Sequence, residues 1–134
     1  GSSCEKCDFE TDLCKSLQEL NLHPGWKRRN GRSGMGPPYS DHTGNESAYF
    51  LSLSSETQSS SATLRTNIFL PTDEHHICQI TFHYWISQMS GMLMVGLQKH
   101  SEDTITNIWQ VSGELQNQWK SNTITINSTE KYKV

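Results

Sequence analysis

Three consecutive residues, Ser40-Asp41-His42, bring together a nucleophile, a carboxylate and a base. Hydrolysis by such groups requires the hydroxyl to bond to the imidazole and the imidazole to bond to the carboxylate. Side chains that are neighbours in sequence rarely reach that geometry, and no oxyanion element accompanies these three residues. We therefore expect no catalysis at these three residues.

A second group of residues has the chemistry of a cation site. Glu10, Asp12 and Asp41 could present oxygen ligands to a hard cation if the fold brings the two segments together. No known cation-binding loop pattern supports such a site. Solvated carboxylates are the simpler interpretation from these residues alone.

The cysteines raise the possibility of zinc. Cys4-x2-Cys7 could begin a zinc site, but a structural site needs a second pair of Cys or His ligands. His75 and His76, near Cys78, are the only candidates for that pair. Adjacent residues in an extended segment point to opposite faces, so the two histidines could not easily bind one ion. The sequence therefore disfavours zinc.

Tryptophans and basic residues suggest two binding alternatives. In a small β-protein, large aromatic rings more often fill the core than form a platform for a sugar ring. A basic cluster beside turn residues is more often a solvated loop than a site for an anionic partner such as a glycosaminoglycan. The residues concerned are Trp26, Trp85, Trp109 and Trp119 for the first alternative, and Lys27, Arg28, Arg29 and Arg32 for the second.

Overall charge and sequons limit the compartment and the partners. The net charge of -3 gives no broad attraction for nucleic acid. No apolar run is long enough to cross a membrane, so direct membrane insertion is not expected. The triplets beginning at Asn45 and Asn127 are acceptor sequons for N-glycosylation. Together with an even cysteine count, they favour a secreted or cell-surface origin.

The elements that must position these groups are strands. Period-2 alternation is clearest from Gln79 to Ile86, and an apolar segment from Met92 to Leu97 predicts a central strand that forms a hairpin with it. Weaker alternation predicts strands at Ala48 to Leu53, Ala62 to Phe69, Asn107 to Val111 and Thr123 to Ile126. A short helical period occurs only at Leu13, Leu17 and Leu20. The predicted core comprises Phe82, Tyr84, Ile86, Leu93, Val95 and Leu97.

Turn residues separate these runs, which is typical of an all-β protein with two packed sheets. The predicted fold class is therefore an antiparallel two-sheet sandwich. Residues 4–134 are expected to form a single domain, and Gly1 to Ser3 resemble a cloning remnant.

Ordered motifs along the chain resemble the MAM domain, the extracellular module of meprins, neuropilins and mu-type receptor tyrosine phosphatases. Its pattern is a short Cys loop with Phe-Glu, then Gly-Pro and Asp-His-Thr, then Cys followed by Phe-x-Tyr, then Trp, Gly and Trp. The matching segments are CDFETDLC at 7 to 14, Trp26, GPPYSDHTGNESAYFLSL at 36 to 53, ATLRT at 62 to 66, CQITFHYWI at 78 to 86, IWQVSGELQNQW at 108 to 119 and KYKV at 131 to 134.

This resemblance implies a jelly-roll-like sandwich and a disulfide between Cys7 and Cys14. In some members of the family, acidic groups near the Phe-Glu and Asp-His-Thr motifs hold calcium. The matching residues here are Glu10 and Asp41. MAM domains usually continue past the strand matching 131 to 134 into a final strand and cysteine, so the resemblance implies that these are missing here. Cys4 and Cys78 then have no partner that the sequence can assign.

The resemblance also implies a function without catalysis. We expect a protein-recognition module for cell adhesion or for assembly of a receptor or secreted protein, located outside the cell or at its surface as part of a larger protein. The expected partner is an extracellular protein or a second copy of the chain. The alternative is a carbohydrate-binding sandwich in which Trp26 or Trp85 stacks on a sugar.

Overall fold

A computed structural model of the chain describes residues 7–12, 14–20, 25–53, 61–75, 77–87, 91–112 and 117–134. Over these ranges the secondary structure consists of β-strands without any helix, and so no membrane-spanning helix is found there. The strands are β1 (Leu17–Glu19), β2 (Trp26–Arg29), β3 (Phe50–Leu53), β4 (Leu64–Thr66), β5 (Cys78–Tyr84), β6 (Met92–Lys99), β7 (Thr106–Ser112), β8 (Lys120–Ile126) and β9 (Tyr132–Lys133). All their pairings are antiparallel, which confirms the predicted all-β class.

The chain divides into two compact units, Gly1–Asn67 and Ile68–Val134. In the first unit, β1 pairs with β4 and β2 pairs with β3. The helical period at Leu17 and Leu20 does not produce a helix, because Leu17 belongs to β1, and Leu13 lies outside the described residues. A run of about two helical turns cannot offset the cost of nucleation, whereas β1 completes a backbone ladder with β4.

The second unit contains the clearest sequence prediction, the strand β5. It pairs with β8 along its whole length, from Cys78 opposite Ile126 to Tyr84 opposite Lys120. The side chains alternate as predicted. Even-numbered residues of β5 are half-buried and odd-numbered ones are exposed, and Thr81 on the exposed face lies 2.9 Å from the Thr123 hydroxyl across the pair.

The other sheet of this unit has the order β7-β6-β9. The position of β6 as a central strand is confirmed, but the predicted hairpin between β5 and β6 is wrong. The two strands lie in different sheets, since β6 pairs with β7 and β9. The hairpin prediction assumed that consecutive strands pair, as they usually do. That assumption fails here because the chain passes from one sheet to the other between β5 and β6.

Aromatic rings join these two sheets. The Trp109 ring of β7 lies 5.0 Å from the Phe82 ring and 5.3 Å from the Tyr84 ring of β5, in edge-on arrangements. Such geometry is the favoured one for aromatic pairs. The two sheets of the second unit therefore pack face to face.

The buried centre of the second unit differs from the predicted core. It consists of Leu97, Ile126 and Tyr132, against which Phe69 and Ile80 pack. Among the predicted core residues, Leu97 is buried, and the other five are half-buried. Alternation identifies the inward face of a strand, but the depth of each side chain depends on how many neighbouring strands cover it.

Candidate functional site

The loop of residues 7–14 is closed by a disulfide. Cys7 and Cys14 are bonded, with their Cα atoms 6.0 Å apart, as the resemblance implies. Within the loop, the Asp8 carboxylate accepts the N–H of Glu10 at 3.1 Å, and the Asp12 carboxylate accepts the N–H of Cys14 at 2.8 Å. Because Cys7 is in a disulfide, it is not available to bind zinc with Cys4, which lies outside the described residues.

Replacing both Cys7 and Cys14 with serine should lower the free energy of unfolding by about 2.4 kcal/mol, because the disulfide no longer restricts the unfolded chain. The estimate uses a sequence separation of seven residues. Urea denaturation of the variant and of the wild type measures the difference, with reduced wild type as the matched control. A variant as stable as the oxidised wild type would show that the disulfide adds no stability.

The disulfide loop is attached to the sheet formed by β2 and β3. The Arg28 guanidinium donates to the carbonyls of Phe9 at 2.8 Å and Glu10 at 2.7 Å. It also lies over the Tyr49 ring, 4.4 Å from the centroid. In return, the Glu10 carboxylate accepts the N–H of Tyr49 at 3.0 Å. Glu10 therefore fixes the position of the loop.

Asp41 organises the turn that follows it. One of its carboxylate oxygens accepts the Thr43 N–H at 2.9 Å, the Thr43 hydroxyl at 2.6 Å and the Asn45 N–H at 3.0 Å. Burial alone would raise the pKa of Asp41, but these hydrogen bonds outweigh it and lower the pKa below its usual value. The charged carboxylate therefore stabilises the turn.

Replacing Asp41 with alanine should lower the free energy of unfolding by about 1 kcal/mol at neutral pH, since the turn loses three hydrogen bonds at a half-exposed site. A group with a lowered pKa in the folded state contributes stability above its unfolded pKa and loses it as the pH falls. The difference between the two proteins should therefore shrink below about pH 4. Asn45→Ala, which keeps the carboxylate, is the control. A difference that is constant from pH 7 to pH 2 contradicts this role.

Arg29 holds the segment from Asn30 to Pro38. Only 7% of its surface is exposed. Its guanidinium nitrogens donate to the Asn30 carbonyl at 3.4 Å, the Ser33 hydroxyl at 3.2 Å, the Pro38 carbonyl at 3.3 Å and the Pro37 carbonyl at 3.1 Å. The group also lies over the Phe50 ring, 4.7 Å from the centroid. Burial lowers the pKa of Arg29, and its Nε has no hydrogen-bond partner in the described part of the chain.

The same segment passes very close to the chain at Tyr39. A Cβ atom on Gly31 would lie 1.8 Å from the Tyr39 carbonyl oxygen, so only glycine fits there. The Gly31 N–H donates to the Glu46 carbonyl at 3.1 Å. Met35 and Tyr39 nevertheless remain exposed. A tightly held segment thus presents two large side chains to solvent.

The basic cluster predicted as a possible anion site is dispersed in the fold. Arg28 and Arg29 are used in the contacts described above, and Arg32 lies 3.7 Å from the Glu46 carboxylate. Lys27 is exposed on β2. This distribution does not present four cations to one anionic partner.

Calcium was expected at Glu10 and Asp41. Among the residues that the structure describes, no three His, Cys, Asp or Glu side chains lie close enough together to hold a metal ion. Two carboxylates that already accept backbone N–H groups do not supply the six to eight oxygens that calcium requires. The described side chains alone do not fit such a site, and calcium binding stays a prediction. Thermal melting in chelator and in millimolar calcium, with Asp41→Asn as control, tests it.

The hydroxyl and carboxylate of the Ser40-Asp41-His42 run are used in local contacts. The Ser40 hydroxyl donates to the Asp41 carbonyl at 3.1 Å. The Asp41 carboxylate is bonded to Thr43 and Asn45 as above. These hydrogen bonds hold a turn, which is a structural role for both side chains.

The tryptophans are half-buried and take part in packing. The Trp26 indole N–H donates to the Ala62 carbonyl at 3.2 Å. The Trp85 and Trp119 rings pack edge-on with centroids 5.9 Å apart. Trp26 and Trp85, the predicted sugar-stacking candidates, therefore have structural contacts that account for them.

Both acceptor asparagines, Asn45 and Asn127, are exposed. We expect each to carry a glycan when the chain passes through a secretory pathway, because an exposed sequon is accessible to the modifying enzyme. Mass spectrometry of peptides from material secreted by mammalian cells measures occupancy, and Ser47→Ala and Thr129→Ala remove each sequon in turn. Unmodified asparagine at both positions contradicts the prediction.

Sequence reasoning missed the roles of Arg28 and Arg29, since consecutive basic residues suggest a solvated loop. Their place beside Trp26 in a short extended run was the available signal for a strand.

A family model described as MAM domain, meprin/A5/mu, matches residues 7–134. The match includes the disulfide loop, the Asp41 turn and all the described strands, and so the chain belongs to the MAM domain family.

Proposed function

We propose that this chain is a non-catalytic protein-recognition module that acts in cell adhesion or in the assembly of a larger receptor or secreted protein. The match of residues 7–134 to the MAM family carries this proposal. MAM domains are extracellular adhesion-type modules, and they mediate protein interactions. The Cys7–Cys14 disulfide agrees with an extracellular location.

Two features of the first unit support recognition of a protein surface. Arg29, Asp41 and Glu10 hold the segment from Asn30 to Tyr49 through hydrogen bonds, so little conformational freedom remains to be lost on binding. Met35 and Tyr39 are exposed on this segment, and tyrosine and methionine are enriched in protein interfaces.

The non-catalytic part of the proposal is supported by the positions of Ser40 and Asp41. Both side chains use their polar atoms to hold a turn. A Ser40→Ala variant is therefore expected to bind its partner as the wild type does.

Binding of a fluorescent tetramer of the chain to cells tests the proposal. We expect binding that is lost when the cells are first treated with protease and is kept when surface glycans are removed enzymatically. Beads coated with the chain show in parallel whether it associates with itself. Binding lost only after glycan removal would favour the carbohydrate alternative. Absence of both cell binding and bead aggregation would contradict a recognition function.

A further inference from the structure

Two methionines on β6 share an exposed face. Met92 is 61% exposed and Met94 is 49% exposed, although both lie in a regular strand of the second unit. Opposite them on β7 are Ser112 and Gln110, which are also exposed. Cross-strand partners point to the same side of a sheet. Met92 and Met94 therefore project from the outer face.

The opposite face of the same strands is the inner one. Leu93 is paired with Val111, and Val95 is paired with Trp109, whose ring packs against β5. The thioethers of Met92 and Met94 thus lie on the side away from this packing. We therefore expect a chemical change at their sulfur atoms to leave the packed side chains in place.

Ile105 extends the apolar surface along β6. A Cβ atom on Gly96 would lie 2.4 Å from the Ile105 side chain, which shows that Ile105 covers Gly96. Ile105 is also exposed. Gly96 pairs with Asn107, which is exposed. The Ile105 side chain that covers Gly96 therefore lies on the outer face of the sheet. We call Met92, Met94 and Ile105 the outer strip.

We infer that Met92 and Met94 form a paired oxidation site, at which peroxide converts both thioethers to sulfoxides without unfolding the protein. In each reaction, a sulfur lone pair attacks one peroxide oxygen, the O–O bond breaks and an S–O bond forms, and the proton on the transferred oxygen passes to the departing hydroxide, which leaves as water. The sulfur is oxidised by two electrons, and hydrogen peroxide is reduced to water. Each sulfoxide adds a polar group where the apolar thioether stood, so the outer strip becomes polar.

Met35 provides an internal reference, because it is 57% exposed in a different unit of the chain. Susceptibility to peroxide follows exposure of the sulfur. Met92 and Met94 should therefore react at rates within roughly threefold of the rate at Met35. Met89 lies outside the described residues.

Peptide mapping of the folded chain after timed exposure to dilute hydrogen peroxide measures these rates, and melting measures the stability of the oxidised protein. We expect sulfoxide at Met92 and Met94 with no change in melting temperature. Retention on a hydrophobic-interaction column should fall after oxidation of the wild type. The fall should be less than half as large in a Met92→Leu, Met94→Leu variant, because leucine does not react.

Three results would overturn the inference. The first is oxidation at either methionine of the pair that is more than about tenfold slower than at Met35. The second is a melting temperature that falls further on oxidation in the wild type than in the treated double-leucine variant. The third is an equal change in column retention for the wild type and that variant.

Discussion

Replacing Tyr132 with alanine should lower the free energy of unfolding by about 4 kcal/mol, the usual range for removing a large aromatic ring from a core. Tyr132 is only 1% exposed. Its ring lies 5.6 Å from the Phe69 ring, and its N–H and carbonyl pair with the backbone of Phe69. Alanine leaves a cavity at the centre of the second unit. Urea denaturation measures the change.

Tyr132→Phe is the matched control, because it keeps the ring and removes the hydroxyl. Burial raises the pKa of Tyr132, and a hydrogen bond with the Cys78 thiol raises it further. An acid with a raised folded pKa stabilises the fold fully below its unfolded pKa, and this stability is lost as the pH rises above about 10. The Tyr132→Phe variant has no hydroxyl to ionise, so its free energy of unfolding should fall less at alkaline pH than that of the wild type. Equal stability of the alanine variant and the wild type would place Tyr132 outside the core.

Replacing Arg29 with methionine should lower the free energy of unfolding by about 3 kcal/mol. Methionine retains an apolar chain against Phe50, but it leaves the Pro37 and Pro38 carbonyls without their donor. An orphaned buried acceptor costs about 1 to 3 kcal/mol, and this applies to the buried Pro38 carbonyl more than to the partly buried Pro37 carbonyl. The uncharged side chain is easier to bury than a guanidinium, which offsets part of this loss.

Lys27→Ala is the control for the Arg29 variant, since Lys27 lies on the same strand and is exposed. Its effect should stay within about 0.5 kcal/mol. Arg29→Lys should be intermediate, because an ammonium cannot reach all four acceptors from one position. Equal stability of Arg29→Met and Lys27→Ala would mean that the hydrogen bonds of Arg29 do not hold the segment.

The clearest alternation in the sequence predicted β5, because only one inward face can satisfy that pattern, and the strand is confirmed to within two residues at each end. Weaker alternation predicted β8, which begins three residues earlier than expected. By contrast, β1 and β9 are too short to show a period. Their extended form depends on β4 and β6, which lie far away in sequence. Long-range pairing of this kind leaves no local signal.

The site shows the same contrast. Residue types and family motifs identified Glu10, Asp41 and the disulfide, because carboxylates and cysteines have few roles. The sequence did not predict which groups of the protein bond to these carboxylates. Their partners in the structure are backbone N–H groups, such as those of Tyr49 and Asn45, which every residue but proline carries. Nor could it predict that Arg29 is buried, since three of its four acceptors are backbone carbonyls.

The most direct test of the segment proposed for recognition, Asn30 to Tyr49, is amide hydrogen exchange in the presence of chelator. It measures whether the protein's own hydrogen bonds hold this segment. The N–H groups of Gly31, Thr43, Asn45 and Tyr49 donate to Glu46, Asp41 and Glu10. We predict that these four amides exchange slowly in the wild type without any cation, and that the Gly31 amide loses protection in Arg29→Met. If all four amides exchange in chelator at the rate of an unfolded chain, the segment is not held by its own hydrogen bonds before it binds a partner.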